Sequence, residues 1–400
     1  MHVNNDNIEN RKSIYIKIKI FTFIYAFYFV YSLSKLNIQD SQINFFKRFI
    51  KHCQKFRQFI PTIKKKNKSP FFSICISLFN AEKFLEHSLL SILYQSFKNF
   101  EIIIVNDNSQ DNSETIIKRF QMNNPNIKLI NHQNNLGIYS TRVDSILNSI
   151  GKYILFLDPD DLFLNPYLFE RLYKINIDKY LDITEFTVYQ GYDNQNNISF
   201  SDLHTKNHYH NYTKDIIFQP ELTNLLFFKP NSQNFSHVFC RCIWNKMVKR
   251  NILNNTINFI GKKIYLQRHF NFAEDTIMNI INFHFANNYS NINIPGYLYN
   301  MRNGTASIIN NGEKKKKLMI NYNIVLYFQI LNIYIKKFKK NKNYLFEETK
   351  FMTNFFYIKE FDDKELSDEI IKFFSKKEQN SIIKLVNKLR QSKADLIKKV

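Results

Sequence analysis

Three aspartates lie close together directly after an apolar run: Asp158, Asp160 and Asp161 follow the segment YILFL at residues 153–157. Such a run followed by a polar turn is typical of a buried strand that delivers its last polar residues to a loop. Carboxylate oxygens are the ligands that Mg²⁺ and Mn²⁺ prefer, and such a cation offsets the charge of a departing phosphate. Asp-Pro followed by two aspartates is also a good turn and helix-cap sequence, so this segment alone leaves a structural role open.

Two other segments place acids at similar points. Asp107 comes two residues after the mostly apolar stretch FEIIIV at residues 100–105, and Glu274 and Asp275 open the apolar-periodic segment AEDTIMNIINFHFA. Acids in the first turn of a helix complement its dipole, which explains the second pair without any site.

The elements that must position these acids alternate between strand and helix. Continuous apolar runs predict strands at residues 71–79, 100–105, 127–131 and 153–157, and helical periodicity predicts helices at 81–95, 113–122 and 138–149. This order, with fully apolar strands, predicts an α/β fold whose mostly parallel central sheet is covered by helices on both faces. Ligands of such sheets bind beyond the carboxyl ends of the strands, where Asp107 and the three aspartates fall.

Five segments resemble, in chain order, the inverting family 2 glycosyltransferases, which have the GT-A fold of nucleotide-diphospho-sugar transferases. They lie at residues 100–113, 134–143, 156–161, 244–253 and 273–275. The resemblance covers about residues 69–309 and implies transfer of a sugar from a nucleotide-diphosphate donor, commonly a UDP-sugar, to an acceptor hydroxyl with inversion. It also implies dependence on Mn²⁺ or Mg²⁺. The Q-x-x-R-W signature of processive synthases is not found, which favours single additions.

The resemblance also implies roles for individual residues. The implied catalytic base is Asp275. The implied donor-binding residues are Asp107, which would contact the nucleobase, Arg142, Asp158 and Asp160. The implied metal ligands are Asp160 and Asp161. The implied acceptor-side residues are Trp244, Lys246 and Glu274. From the residues alone, Arg142 is as well explained by a surface position and Trp244 by a partly buried core position.

Two other functions stay open at this point. A GT-A-like protein without turnover would serve as a glycan-binding or membrane-scaffold protein, but such a protein has no need for acids at all three carboxylate sites. A nucleotidyl transferase would need a glycine-rich phosphate loop after the first strand, and SLFNAEKF at residues 77–84 contains no glycine.

Charge and the N-terminal region bear on location. The chain of 400 residues carries a formal net charge of +22, and no nucleic-acid-binding signature accompanies it, so an anionic membrane surface is the expected partner; a general lysine bias explains the charge equally well.

The apolar run at residues 20–33 would span about 21 Å as a helix, less than the ~30 Å of a bilayer core, unless it extends back to Ile14. A single-pass signal anchor in the secretory pathway, a cleaved signal peptide and a packed helix all fit, and without an anchor we expect a cytoplasmic protein.

We therefore expect three regions. They are an N-terminal region with an apolar helix and a basic linker at 1–68, a GT-A domain at 69–309, and a lysine-rich helical region at 310–400. The expected partners are a nucleotide-sugar donor, a glycan, lipid or protein acceptor, and a membrane, but no nucleic acid.

Overall fold

The computed structural model describes residues 69–194, 197–206, 216–220, 222, 242–261, 273–301, 327, 330–331 and 333–338. The predicted N-terminal apolar helix and most of the predicted C-terminal helical region lie outside these residues, so the three-region division stays a prediction. Within the described ranges, no helix is both long enough and apolar enough to cross a membrane.

The first half of the fold is a parallel α/β unit. Its strands are β1 (Phe72–Leu78), β2 (Phe100–Asn106), β3 (Ile127–Asn131) and β4 (Tyr153–Phe156). Its helices are α1 (Glu82–Leu93), α2 (Ser113–Gln121) and α3 (Ile138–Leu147). The strands pair in parallel in the order β3-β2-β1-β4. Consecutive residues of β1 are buried, which means that both faces of this strand are covered, as its unbroken apolar pattern predicts.

The second half makes the sheet mixed. Its strands are β5 (Leu162–Phe163), β6 (Ile183–Asn194), β7 (Asn197–Lys206), β8 (Ile217–Phe218), β9 (Lys246–Lys249) and β10 (Asn288–Met301). Its helices are α4 (Leu168–Lys179), α5 (Arg250–Ile260) and α6 (Glu274–Phe285). The described strands form one sheet in the order β3-β2-β1-β4-β9-β6-β10-β5, with β7 beside β6 and β8 beside β10.

The expectation of a mostly parallel sheet is therefore wrong beyond β4. Strand β9 runs antiparallel to both β4 and β6, and β5, β7 and β8 also pair antiparallel with their neighbours. Among these later strands only β6 and β10 pair in parallel. Apolar periodicity reports which residues are buried and carries no information on strand direction, which explains the error.

Part of the C-terminal region packs on the domain. Residues 333–337 are helical, and Phe338 lies with its ring centroid 5.3 Å from that of Phe259 on α5 and 3.8 Å from that of His284 on α6. Tyr334 is completely buried in the same core. This segment at 333–338 packs against α5 and α6. It therefore supports α6, whose first turn carries Asp275, the predicted base.

Candidate active site

Arg142 joins two segments that are far apart in the chain. Its position on α3 places the guanidinium in the interior, where the side chain is 3% exposed. One nitrogen lies 3.6 Å from Oδ1 of Asp158, which follows β4, and another donates to Oε1 of Glu274 at the start of α6. The structure thus brings three of the predicted site residues together, and Arg142 is a buried ion-pair residue rather than a surface one.

The electrostatics of this cluster show which acids share it. Burial raises the pKa of Asp158 to about 6, and repulsion by Asp160 and Asp275 adds to that rise while Arg142 opposes it. Burial likewise raises the pKa of Glu274 to about 7, with Asp275 and Asp158 adding to the rise. Burial disfavours the charge of Arg142, but Glu274, Asp158 and Asp275 hold its pKa above the ordinary value. The loop after β4 that carries Asp158, Asp160 and Asp161 is called the donor loop below. Together with the first turn of α6 it forms one strongly acidic site.

Asp161 is hydrogen-bonded to β10. It is 1% exposed, and each of its carboxylate oxygens accepts a hydrogen bond from β10: Oδ2 from the Tyr297 hydroxyl at 2.7 Å and Oδ1 from the Asn300 backbone N–H at 2.8 Å. The Asp158 backbone N–H in turn donates to the Tyr297 hydroxyl oxygen at 3.2 Å. The predicted metal-ligand role of Asp161 is not supported by this geometry, because its carboxylate is used to fasten the loop to β10.

The remaining acids suit a divalent cation. Within the described part of the chain, no group of three or more His, Cys, Asp and Glu side chains is arranged to hold a metal ion. Asp158 and Asp160 nevertheless offer hard oxygen ligands on one turn, and Mg²⁺ is commonly bound by one or two carboxylates together with substrate phosphates. Glu274 and Asp275 add further negative charge beside them. This donor set fits Mg²⁺ or Mn²⁺.

The structure places Asp107 differently from the prediction. Its side chain is 4% exposed. Its Oδ1 accepts from the Leu136 N–H and its Oδ2 from the Gly137 N–H, both at 2.8 Å. His132 Nδ1 lies a further 2.8 Å from Oδ1. This buried carboxylate has three internal partners and holds the loop before α3 in place, and its contact with the nucleobase stays a prediction.

Trp244 lies next to the donor loop. Its ring stacks on Tyr297 with centroids 4.6 Å apart and on Tyr299 with centroids 5.5 Å apart. Tyr297 is the same residue that holds Asp158 and Asp161, while Trp244 and Tyr299 are only partly buried. The aromatic pair Trp244 and Tyr299 therefore offers ring surface beside the acidic site, which agrees with an acceptor-side position.

Two other predicted acceptor-side residues are internal. The Lys246 side chain is 0% exposed, and its Nζ lies 3.1 Å from Glu185 Oε2 and donates to the Cys242 carbonyl at 2.7 Å and to Asn245 Oδ1 at 2.8 Å. Glu274 is 5% exposed and paired with Arg142. These buried charges stabilise β9 and the start of α6, and contact of either residue with an acceptor stays a prediction.

Asp275 is the acid at this end of α6 that stays partly accessible. Its Oδ1 accepts a hydrogen bond from the Thr276 N–H at 2.7 Å, and its charge acts on both Asp158 and Arg142. The preceding residue, Ala273, has a φ of 59°, a left-handed conformation that non-glycine residues adopt at a cost. This turn directs the chain into α6 so that Glu274 is buried and Asp275 is left at the site.

Sequence reasoning missed three residues. Tyr297 positions the donor loop, and a tyrosine within an apolar strand gave only a weak signal for that role. Phe79 is 49% exposed directly after β1, at the edge of the sheet where ligands bind. His132 directly follows β3 and contacts Asp107. A polar or exposed aromatic residue just beyond a predicted strand was the available signal for the last two.

Comparison with known proteins identifies the domain. Residues 73–256 match the family described as Glycosyl transferase family 2. The chain is 27% identical over 235 residues to Glycosyltransferase GlyA of Streptococcus pneumoniae serotype 4, covering 59% of this chain and 31% of GlyA. It is 26% identical over 230 residues to the uncharacterized glycosyltransferase EpsJ of Bacillus subtilis, covering 58% of this chain and 61% of EpsJ.

Among solved structures, S. aureus TarS aligns with a TM-score of 0.48 and 15% identity, covering 76% of this chain and 49% of TarS. The chain spans about a third and about three fifths of the lengths of GlyA and EpsJ. Its mixed sheet with flanking helices is a GT-A-like α/β fold. Residues 73–256 are therefore a glycosyl transferase family 2 domain.

Proposed function

We propose that this protein transfers a sugar from a nucleotide-diphosphate donor to an acceptor hydroxyl, with a UDP-sugar as the donor. The observation that carries the proposal is the Arg142 cluster, which joins the Asp158 loop to the turn that holds Asp275. A sugar transfer needs these two groups of acids in one place, because the acceptor hydroxyl attacks the same sugar carbon from which the diphosphate leaves. The family match supports the same reaction class.

In the proposed reaction Asp158 and Asp160 would hold a divalent cation, which when bound would offset the negative charge of the leaving diphosphate. Arg142 keeps Asp158 in place. Asp275 accepts the proton of the acceptor hydroxyl while that oxygen forms a bond to the anomeric carbon. The bond from the anomeric carbon to the diphosphate oxygen breaks on the opposite side, so the product has the inverted configuration.

The surroundings suggest where each substrate binds. Phe79, exposed at the end of β1, offers a ring for the nucleobase. Trp244 and Tyr299 offer an aromatic surface for the apolar face of a sugar, which favours an acceptor that already carries a glycan, whether free or attached to a lipid or protein. Single additions follow if this surface binds only the acceptor terminus. The net charge of +22 supports attachment to an anionic membrane surface.

A screen of nucleotide sugars with the full-length protein tests this proposal. We expect release of UDP from one donor in the presence of Mn²⁺ or Mg²⁺ and loss of that release with a chelator. The variant Asp275→Asn should lower kcat by ~10²–10⁴-fold, the range of general-base catalysis. Asp160→Asn should raise the metal concentration needed for half-maximal rate.

Asp178→Asn is the matched control, because Asp178 is an exposed aspartate on α4, outside the site segments. Its rate should equal that of the wild type. Turnover by Asp275→Asn at the wild-type rate would refute the role of the base. Metal-dependent UDP binding without turnover of any donor would instead favour a binding protein that has lost catalysis.

A further inference from the structure

His132 lies between two carboxylates. It directly follows β3, and its backbone N–H donates to the Asn106 carbonyl at 2.9 Å, which continues the pairing with β2. Its Nδ1 lies 2.8 Å from Oδ1 of Asp107, and its Nε2 lies 2.8 Å from Oδ2 of Asp144 on α3. The His132 side chain is 7% exposed, with Asp107 at 4% and Asp144 at 19%.

This arrangement suits a charged ring. Ionised carboxylates only accept hydrogen bonds, so each ring nitrogen must donate, and only the imidazolium form has two N–H groups. Asp107 faces the ring from the end of β2 and Asp144 faces it from α3. On the neighbouring α2, Glu114 accepts a hydrogen bond at 3.4 Å from the side chain of Asn131, the residue that precedes His132.

The ring thereby fixes the start of α3. Asp107 accepts hydrogen bonds from the N–H groups of Leu136 and Gly137, the two residues that precede the helix. Asp144 is on the same helix, two residues after Arg142. His132 therefore connects the end of β2 both to the turn that begins α3 and to the body of that helix, and Arg142 is carried on this helix to Asp158 and Glu274.

We propose that His132, as an imidazolium bound to Asp107 and Asp144, is a positioning residue that sets α3, and with it Arg142, in the orientation needed for sugar transfer. The proposal rests on the proposed glycosyltransferase function. The ring itself does not contact the reacting atoms. It acts through Arg142, whose two acidic partners lie on the donor loop and beside the base.

The test uses the full-length protein and the variant His132→Gln, which removes the positive charge and leaves one donor group. We expect kcat to fall at least tenfold, with the donor KM changing less than threefold because the ring does not face the donor. We also expect the amide hydrogens of Leu136 and Gly137 to exchange at least tenfold faster. In the wild type at neutral pH, nitrogen NMR of the ring should show both nitrogens protonated.

Two further variants keep the test decisive. Asp144→Asn leaves the bond between His132 and Asp107 in place and removes the negative charge that faces the ring from α3, so it should lower kcat even if His132→Gln folds poorly. Lys128→Gln is the control, because it removes an exposed cation from the same strand, where Lys128 contacts Asn148 at 2.8 Å. Its kcat and its amide exchange at Leu136 and Gly137 should match the wild type.

The proposal is overturned if the ring is neutral, or if folded His132→Gln and Asp144→Asn keep the wild-type kcat. If the wild type turns over no donor, the proposed function fails separately. The ring protonation and the amide exchange then decide by themselves whether His132 fixes the start of α3.

Discussion

Replacing Arg142 with methionine tests the cluster most directly. The substitution keeps much of the buried volume and removes the cation that faces Glu274 and Asp158. Removing one partner of a buried ion pair costs about 3–5 kcal/mol, since the other charge is left in the interior. Here two carboxylates lose their partner, so we expect the free energy of unfolding to fall by about 3–5 kcal/mol at pH 8.

The loss should depend on pH, and the direction follows from the raised pKa values. In the native wild type the pKa of Glu274 is about 7 and that of Asp158 about 6, both raised first by burial. Without Arg142 they rise further, so the folded variant binds more protons than the unfolded chain. An acid with a raised folded pKa contributes stability that is present at low pH and is lost as pH rises through the folded value. The variant should therefore be less destabilised at pH 5 than at pH 8.

Urea unfolding of the two proteins at pH 5, 7 and 8 measures this effect. Arg119→Met is the matched control, because Arg119 is 43% exposed and pairs with Glu86 at 3.0 Å on the surface; it should cost no more than about 1 kcal/mol at any of these pH values. A second variant, Arg142→Met with Glu274→Gln, should recover part of the loss at pH 8. A loss below 1 kcal/mol at pH 8, or an equal loss at pH 5 and pH 8, would refute the reasoning.

Two other changes test the neighbouring contacts. Tyr297→Phe removes the hydroxyl that donates to Asp161 and accepts from the Asp158 N–H. We expect the free energy of unfolding, measured by urea titration, to fall by ~1–3 kcal/mol. The control Tyr180→Phe, at a tyrosine that is 69% exposed, should stay near the wild type. Trp244→Ala should raise the acceptor KM by roughly tenfold, because ~1 kcal/mol or more of stacking between the ring and the sugar is lost, and Trp244→Phe should retain more of the affinity. An unchanged acceptor KM in steady-state kinetics would exclude contact between Trp244 and the acceptor.

The sequence determined where the polar residues of the site had to lie. Strands β1, β2 and β4 are mostly apolar and are buried on both faces, so the acids that directly follow them were expected at the carboxyl edge of the sheet. For this reason Asp158 could be placed at a binding edge before the fold was known. The order of the five segments along the chain was also sufficient to indicate the family resemblance.

The sequence did not determine which carboxylates would remain at the acidic site around Arg142. Asp160 and Asp161 are adjacent in one turn, and the difference between them is made by Tyr297, which is 136 residues further along the chain from Asp161. Lys246 was assigned to the acceptor side, yet its partner Glu185 lies on a strand whose direction the pattern could not predict.

The tertiary structure decided these points because the cost of burying a charge depends on its partners. Asp107 is buried because the turn at Leu136 and Gly137 presents two N–H groups to it, and because His132 compensates its charge. Glu274 is buried because Arg142 reaches it from another helix. Spacing along the chain specifies which groups are available, whereas their pairing in three dimensions determines which acids remain at the site.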